Sequence, residues 1–132
     1  MITQTQNMDL VNSILRDPGI WYDIAPQGVE PFDSTYSTGL VYFLVNETDG
    51  VIIYHPFRDG MKIHPNIIPG KRGKKTFDAI EQSIQRVLEY YHCIYAEIDP
   101  ALRHVTWLAR HLGFTLLEHN DRDLFVRRKY DS

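Results

Sequence analysis

Ile67-Ile68-Pro69-Gly70-Lys71-Arg72-Gly73-Lys74-Lys75-Thr76-Phe77 is the stretch on which the reading of this chain turns. Before it, β-branched and aromatic residues run in strand-like blocks. After it, Phe77, Ile80, Ile84, Val87, Leu88 and Tyr91 recur at helical spacing. The stretch therefore joins the end of a strand to the start of a helix, with Pro69-Gly70 as the turn. Four bases, Lys71, Arg72, Lys74 and Lys75, crowd around Gly73. At such a junction the first helical N–H groups and the helix dipole favour an anion, and a glycine lets the backbone approach it. A charge run is most often a solvated face, and a phosphate-bearing ligand is the functional alternative. The spacing is not that of a P-loop, since no glycine stands five residues before a Gly-Lys-Ser/Thr triplet, and no Gly-x-Gly-x-x-Gly occurs.

Working outward, Gly39–Val45 and Val51–His55 predict a hairpin around the Glu47–Gly50 turn. Asp59-Gly60 turns the chain into a third strand, Met61–Ile68. Pro65 within it cannot donate to a ladder, so part of one edge must be unpaired or bulged. Cys93–Ile98 reads as a strand after the first long helix. Asp99-Pro100 predicts an N-cap and N1 proline for a helix with Leu102, Val105, Leu108, Ala109 and Leu112 inside, ended by Gly113 at C′. Phe114–Leu117 and Leu124–Val126 predict a closing hairpin. Asn7 predicts the cap of an N-terminal helix stopped at Asp17-Pro18-Gly19, followed by Ile20-Trp21-Tyr22-Asp23-Ile24 and a loop with Pro26, Gly28 and Pro31. The expected fold class is α/β with a mixed sheet: an N-terminal helix and then a β-β-β-α-β-α-β-β core, in one domain over residues 1–132.

Composition narrows the function classes. The chain has 132 residues, a net charge of −3 and 43% hydrophobic residues, as expected of one globular domain. The charge is split: residues 1–60 hold eight acids and two bases, and residues 61–132 hold nine acids and twelve bases. The mild acidity argues against nucleic acid as a partner. Without a signal-peptide pattern or an apolar run of about 20 residues, the expectation is a soluble cytoplasmic protein with no membrane partner. One cysteine, Cys93, excludes an internal disulfide and is read as core filling. The six histidines show no chelating pair, so no metal is expected. Trp107, Tyr90 and Tyr91 are read as packing.

Ile68-Pro69-Gly70-Lys71-Arg72-Gly73-Lys74 resembles the pyrophosphate loop of the GNAT superfamily of acyl-CoA-dependent N-acetyltransferases. Ala109-Arg110-His111-Leu112-Gly113-Phe114 resembles that family's Gly-Phe helix end, and the element order is similar to its core. The resemblance covers residues 38–128. It implies acetyl-CoA as cofactor, with its phosphates on Arg72, Gly73, Lys74, Lys75 and Thr76 and its pantetheine arm along Ile67 and Ile68. It also implies a splay of the two strands flanking the helix, consistent with Pro65. Two departures stand out. Lys75 and Phe77 occupy positions of the family's later glycines, and Ala109 stands where a general-acid tyrosine is common.

A general base for acyl transfer must take a proton near neutral pH. His64, on the third strand, and Glu97, which shares a face of the next strand with Tyr95, are the candidate catalytic residues. The acceptor so implied is a small amine or a protein amine. A closer resemblance rests on Ile63-His64-Pro65, Ile68-Pro69, Arg72-Gly73 and Ile20-Trp21. These segments are similar to small GNAT-like proteins of tailed bacteriophages, one group of which comprises head-assembly proteins. This implies the alternative role: virion assembly in a host cytoplasm, by contact with phage structural proteins and without catalysis.

Overall fold

The computed structural model describes residues 1–20 and 38–130; Trp21–Ile24 and the expected loop around Pro26, Gly28 and Pro31 lie outside the described residues. The elements are β1 (Ile2–Thr5), α1 (Met8–Leu15), β2 (Val41–Val45), β3 (Gly50–Phe57), β4 (Gly60–Ile67), α2 (Lys74–Leu88), β5 (Cys93–Ile98), α3 (Arg103–His111), β6 (Thr115–His119) and β7 (Asp123–Arg128). They form a seven-stranded mixed sheet in the order β1-β2-β3-β4-β5-β7-β6. β4 and β5 run parallel, and α2 is their crossover. The expected fold class is the one observed, with β1 as an added edge strand that pairs Ile2–Thr5 against Val45–Tyr42.

Chain contacts group into two compact units. The first comprises Met1–Tyr54 and His64–Ser83. Here Asn7 caps α1, accepting from the Leu10 amide at 3.3 Å, as its residue type predicts. Val11, Ile14 and Leu15 of α1 bury against Tyr42, Leu44 and Val51, with Ile68 packed at the margin. Tyr54 meets Phe43 edge-on, and its hydroxyl bonds Ser83 of α2 at 2.7 Å. The β2–β3 turn sits where expected, with Asn46 and Glu47 at positive φ.

The second unit comprises His55–Ile63 and Ile84–Ser132. Cys93, Tyr95, Leu124 and Val126 form its cluster, with Phe57 packed against them. The parallel ladder of β4 with β5 consists of Met61↔Ile94 and Lys62↔Tyr95 and ends three residues before Pro65, whose missing N–H cannot extend it. Gly60 is required by close approach: a Cβ there would meet the Cys93 carbonyl oxygen at 2.2 Å. α3 ends as Gly113 predicts. With φ +84° it donates to Arg110, and Phe114 donates to Ala109, a Schellman motif.

Four expectations are corrected. Asp99 does not cap α3: its Oδ1 accepts from the Ala101 amide at 3.0 Å in an Asx turn, and the helix starts at Arg103 with Leu102 as N-cap. Leu102 is 44% exposed as a result, not inside. α2 ends at Leu88, which leaves Tyr90 and Tyr91 outside the helix and exposed. Trp107 is 59% exposed and stacks on the His111 ring at 3.7 Å between centroids. No described helix is long and apolar enough to cross a membrane.

Candidate functional site

The loop between β4 and α2 is built by turn chemistry. Pro69 and Gly70 occupy the central positions of a β-turn closed by the Lys71 amide on the Ile68 carbonyl at 3.0 Å. Gly70 has φ +87°, the conformation a type II turn asks of its third residue. Gly19 makes room for the Pro69 ring, since a Cβ there would lie 2.2 Å from Pro69 Cγ. The Thr76 hydroxyl, itself buried, donates to the Lys71 carbonyl at 2.6 Å and ties the first helical turn to the loop. The Arg72 guanidinium donates to the Ile67 carbonyl at 3.2 Å and closes the end of β4. The Ile68 amide donates to Asp49 at 2.9 Å.

These bonds fix what the junction presents. The first hydrogen bond of α2 runs from the Phe77 amide to Gly73 at 2.9 Å, so the amides of Lys74, Lys75 and Thr76 are the helix's first and have no intrahelical acceptor. Gly73 is exposed, and a Cβ built on it meets nothing within 4 Å. Lys71, Arg72, Lys74 and Lys75 are all exposed around it. Lys74 reaches Asp78 at 3.0 Å, one turn on. Of the expected cofactor residues, the fold thus brings Arg72, Gly73, Lys74, Lys75 and Thr76 to one junction directly after Ile67 and Ile68. Ile67 is buried, whereas Ile68 faces the α1 cluster.

His64 is exposed on β4, and its carbonyl accepts from the Asn66 side chain at 3.0 Å. Glu97 is exposed at the C-terminal end of β5, with both carboxylate oxygens engaged: Lys62 Nζ lies 2.7 Å from Oε2 and Arg122 Nε 3.1 Å from Oε1. Lys62 and Arg122 were not among the residues singled out in the sequence. Lys62 stands two positions before His64 on β4, and only the pairing of β4 with β5 brings it to Glu97.

A second polar cluster surrounds the β3–β4 turn. Asp59 Oδ1 accepts from the Tyr95 hydroxyl and, at 3.3 Å, from the Cys93 thiol. These bonds hold the Asp59 carboxyl below its ordinary range. Burial, then the bond to Asp59, push the Tyr95 phenol well above its usual value, and burial raises the Cys93 thiol. Arg58 lies over the Phe57 and Tyr95 rings and pairs with Glu118 at 2.8 and 3.1 Å, which holds the Glu118 carboxyl low. Among the described residues, no group of three or more His, Cys, Asp or Glu side chains could hold a metal ion.

No protein-family profile matches the chain. The large ribosomal subunit protein bL21 of Rippkaea orientalis is 36% identical over 59 residues, which are 45% of this chain and 46% of that protein. The chain thus spans about half the length of the curated relative it matches. Among solved structures, it is similar to the dodecameric spermidine N-acetyltransferase of Vibrio cholerae, with TM-score 0.72, 13% identity, and 98% and 93% of the two chains covered. A probable GNAT-family acetyltransferase of Chromobacterium violaceum gives TM-score 0.69 at 12% identity over 97% of this chain and 86% of that one. The Campylobacter jejuni N-acetyltransferase PseH in complex with acetyl coenzyme A gives 0.59 at 14% identity over 70% of each. With its crossover β4-α2-β5 and the sheet order β5-β7-β6, the chain has the fold of the GNAT N-acetyltransferases.

Proposed function

We propose that this chain is a single-domain, acyl-CoA-dependent N-acetyltransferase that binds acetyl-CoA at the β4–α2 junction and transfers the acetyl group to an amine. The observation that carries the reading is that junction. Within residues 71–76 it gathers three helix-initial amides without an intrahelical acceptor, a glycine with open space at its Cβ position and four exposed basic residues. A pyrophosphate suits that donor set, because helix-terminal N–H groups and charged side chains both strengthen contacts to anionic oxygens. The similarity to an N-acetyltransferase solved with acetyl coenzyme A supports the same ligand.

Acetyl-CoA supplies a thioester carbonyl that an amine nitrogen can attack. The residues of this chain then have separate tasks. Lys74, Lys75 and Thr76 offer amides to the phosphates, Gly73 admits close approach, and the arm runs along the backbone of Ile67 and Ile68, whose side chains are turned into the core. His64 and Glu97 are the positions for a base that takes the acceptor's proton. The acceptor class is a small amine or a protein amine; the spermidine N-acetyltransferases of similar fold support the former.

Thiol release from acetyl-CoA, followed with spermidine and with an alanine-terminated peptide, tests the reading. At least one of them should accelerate release over the protein-free rate, and either His64→Ala or Glu97→Gln should lower that rate by about 10²–10⁴-fold, the usual contribution of a general base. No acceleration by any amine would contradict transferase activity. A second reading, a phage assembly factor that works by protein contact, is favoured by Ala109. This residue is buried in α3, where the family's general-acid tyrosine would stand. It predicts no thiol release.

A further inference from the structure

α3 carries no acid, and Arg103, His104, Trp107, Arg110 and His111 are all exposed on it. At about 3.6 residues per turn these five fall along one side of the helix. The face belongs wholly to the second compact unit. Trp107 is 59% exposed, unusual for so large an aromatic ring, and its indole stacks on the His111 imidazole at 3.7 Å and 31°. His111 Nδ1 donates to the Trp107 carbonyl at 3.0 Å, which holds the imidazole against the indole. The Arg110 guanidinium lies 5.5 Å from the centre of the buried Phe125 ring, which anchors it over β7. Among the described residues no carboxylate pairs with Arg103 or Arg110, whereas Arg58, Lys62, Lys74 and Arg122 each pair with one.

We propose that this face of α3 binds single-stranded nucleic acid, with a base stacked on Trp107 and backbone phosphates paired with Arg103 and Arg110. The two arginines stand four residues before and three after the indole, about 10 Å apart along the axis, so a strand crossing the ring meets a cation on either side. Every base has a π-face, and aromatic platforms flanked by cations hold single strands with little regard to sequence. An anionic membrane takes a helix whose embedded face is broadly apolar, and here Trp107 is the single apolar residue among the five. An acidic peptide would satisfy the cations and leave the flat indole–imidazole stack without a use. The slight acidity of the whole chain disfavours attraction of a polyanion at long range, but none of its acids is on α3. The surface does not depend on the binding of acetyl-CoA.

The test is fluorescence anisotropy of labelled oligouridylate and oligothymidylate, each about 12 nucleotides long, titrated with the full chain at two salt concentrations. Saturable binding of at least one strand is expected, and the tighter of the two shows whether RNA or DNA is the class bound. Trp107→Ala should weaken binding about tenfold or more, and Trp107→Phe should recover part of that loss. Arg103→Gln and Arg110→Gln should each lower the slope of log affinity against log salt by about 0.7. Far-UV circular dichroism checks that each variant is folded. No binding at about 100 μM protein, or binding that Trp107→Ala leaves unchanged, would overturn the proposal. Binding of a polyglutamate peptide or of phosphatidylserine vesicles instead, lost in Trp107→Ala, would assign the face to a protein or a membrane and equally overturn it.

Discussion

His55 shows how closely single charges are read in this molecule. Its imidazole is held below its ordinary value first by burial beside Phe57 and then by the positive charge of Lys62. A histidine whose folded value is depressed must be charged at a cost when the protein is acidified. Its contribution to stability is therefore whole above the unfolded value near 6.5 and declines below it. Lys62→Gln removes the second cause and leaves the first, so the His55 midpoint followed by NMR should rise part of the way to the ordinary value. An unmoved midpoint would show that the Lys62 charge does not reach the ring. Residue types alone fixed neither relation. His55 and Lys62 lie on different strands, and Glu97 is recognisable in the sequence as a carboxylate but not as one clamped by two cations.

At the scale of elements, the β3–β4 turn carries the second pH dependence. Arg58 is at φ +50°, a conformation uncommon outside glycine, and the next residue, Asp59, receives both Tyr95 and Cys93 from β5. A carboxylate held low when folded contributes stability that is present above its unfolded value and lost as pH falls through the folded one. Asp59→Asn should therefore lower the thermal midpoint at neutral pH and flatten the loss of stability below about pH 4. Parallel acid limbs for variant and wild type would contradict this role. Elements governed by local rules were legible in advance: the Asn7 cap, the Gly113 stop and the period change after Pro69-Gly70. Elements governed by competition or by tertiary contacts were not. Asp99 chose its own Asx turn over the helix cap. Ile2–Thr5, too short and polar to signal a strand, becomes one by pairing with β2.

For the molecule as a whole, the division of charge found in the sequence acquires a location. The four bases of residues 71–75 sit at the head of α2, where a loop is tied by Thr76, Arg72 and the Ile68–Lys71 turn and the first helix amides have no intrahelical acceptor. The order of elements, the parallel β4·β5 pair and the Gly-Phe helix end were enough to reach the GNAT fold from sequence, because each follows from spacing and turn chemistry. The candidate base was legible only as residue types, since the partners of Glu97 come from β4 and from the turn before β7. The central claim is that the β4–α2 junction binds acetyl-CoA, and calorimetric titration tests it most directly. Saturable binding is predicted, with Arg72→Ala weakening it by roughly 1–3 kcal/mol, about 5- to 150-fold, as expected for loss of a charge-assisted phosphate contact. No heat of binding at about 1 mM acetyl-CoA, or an affinity unchanged by Arg72→Ala, would contradict the account.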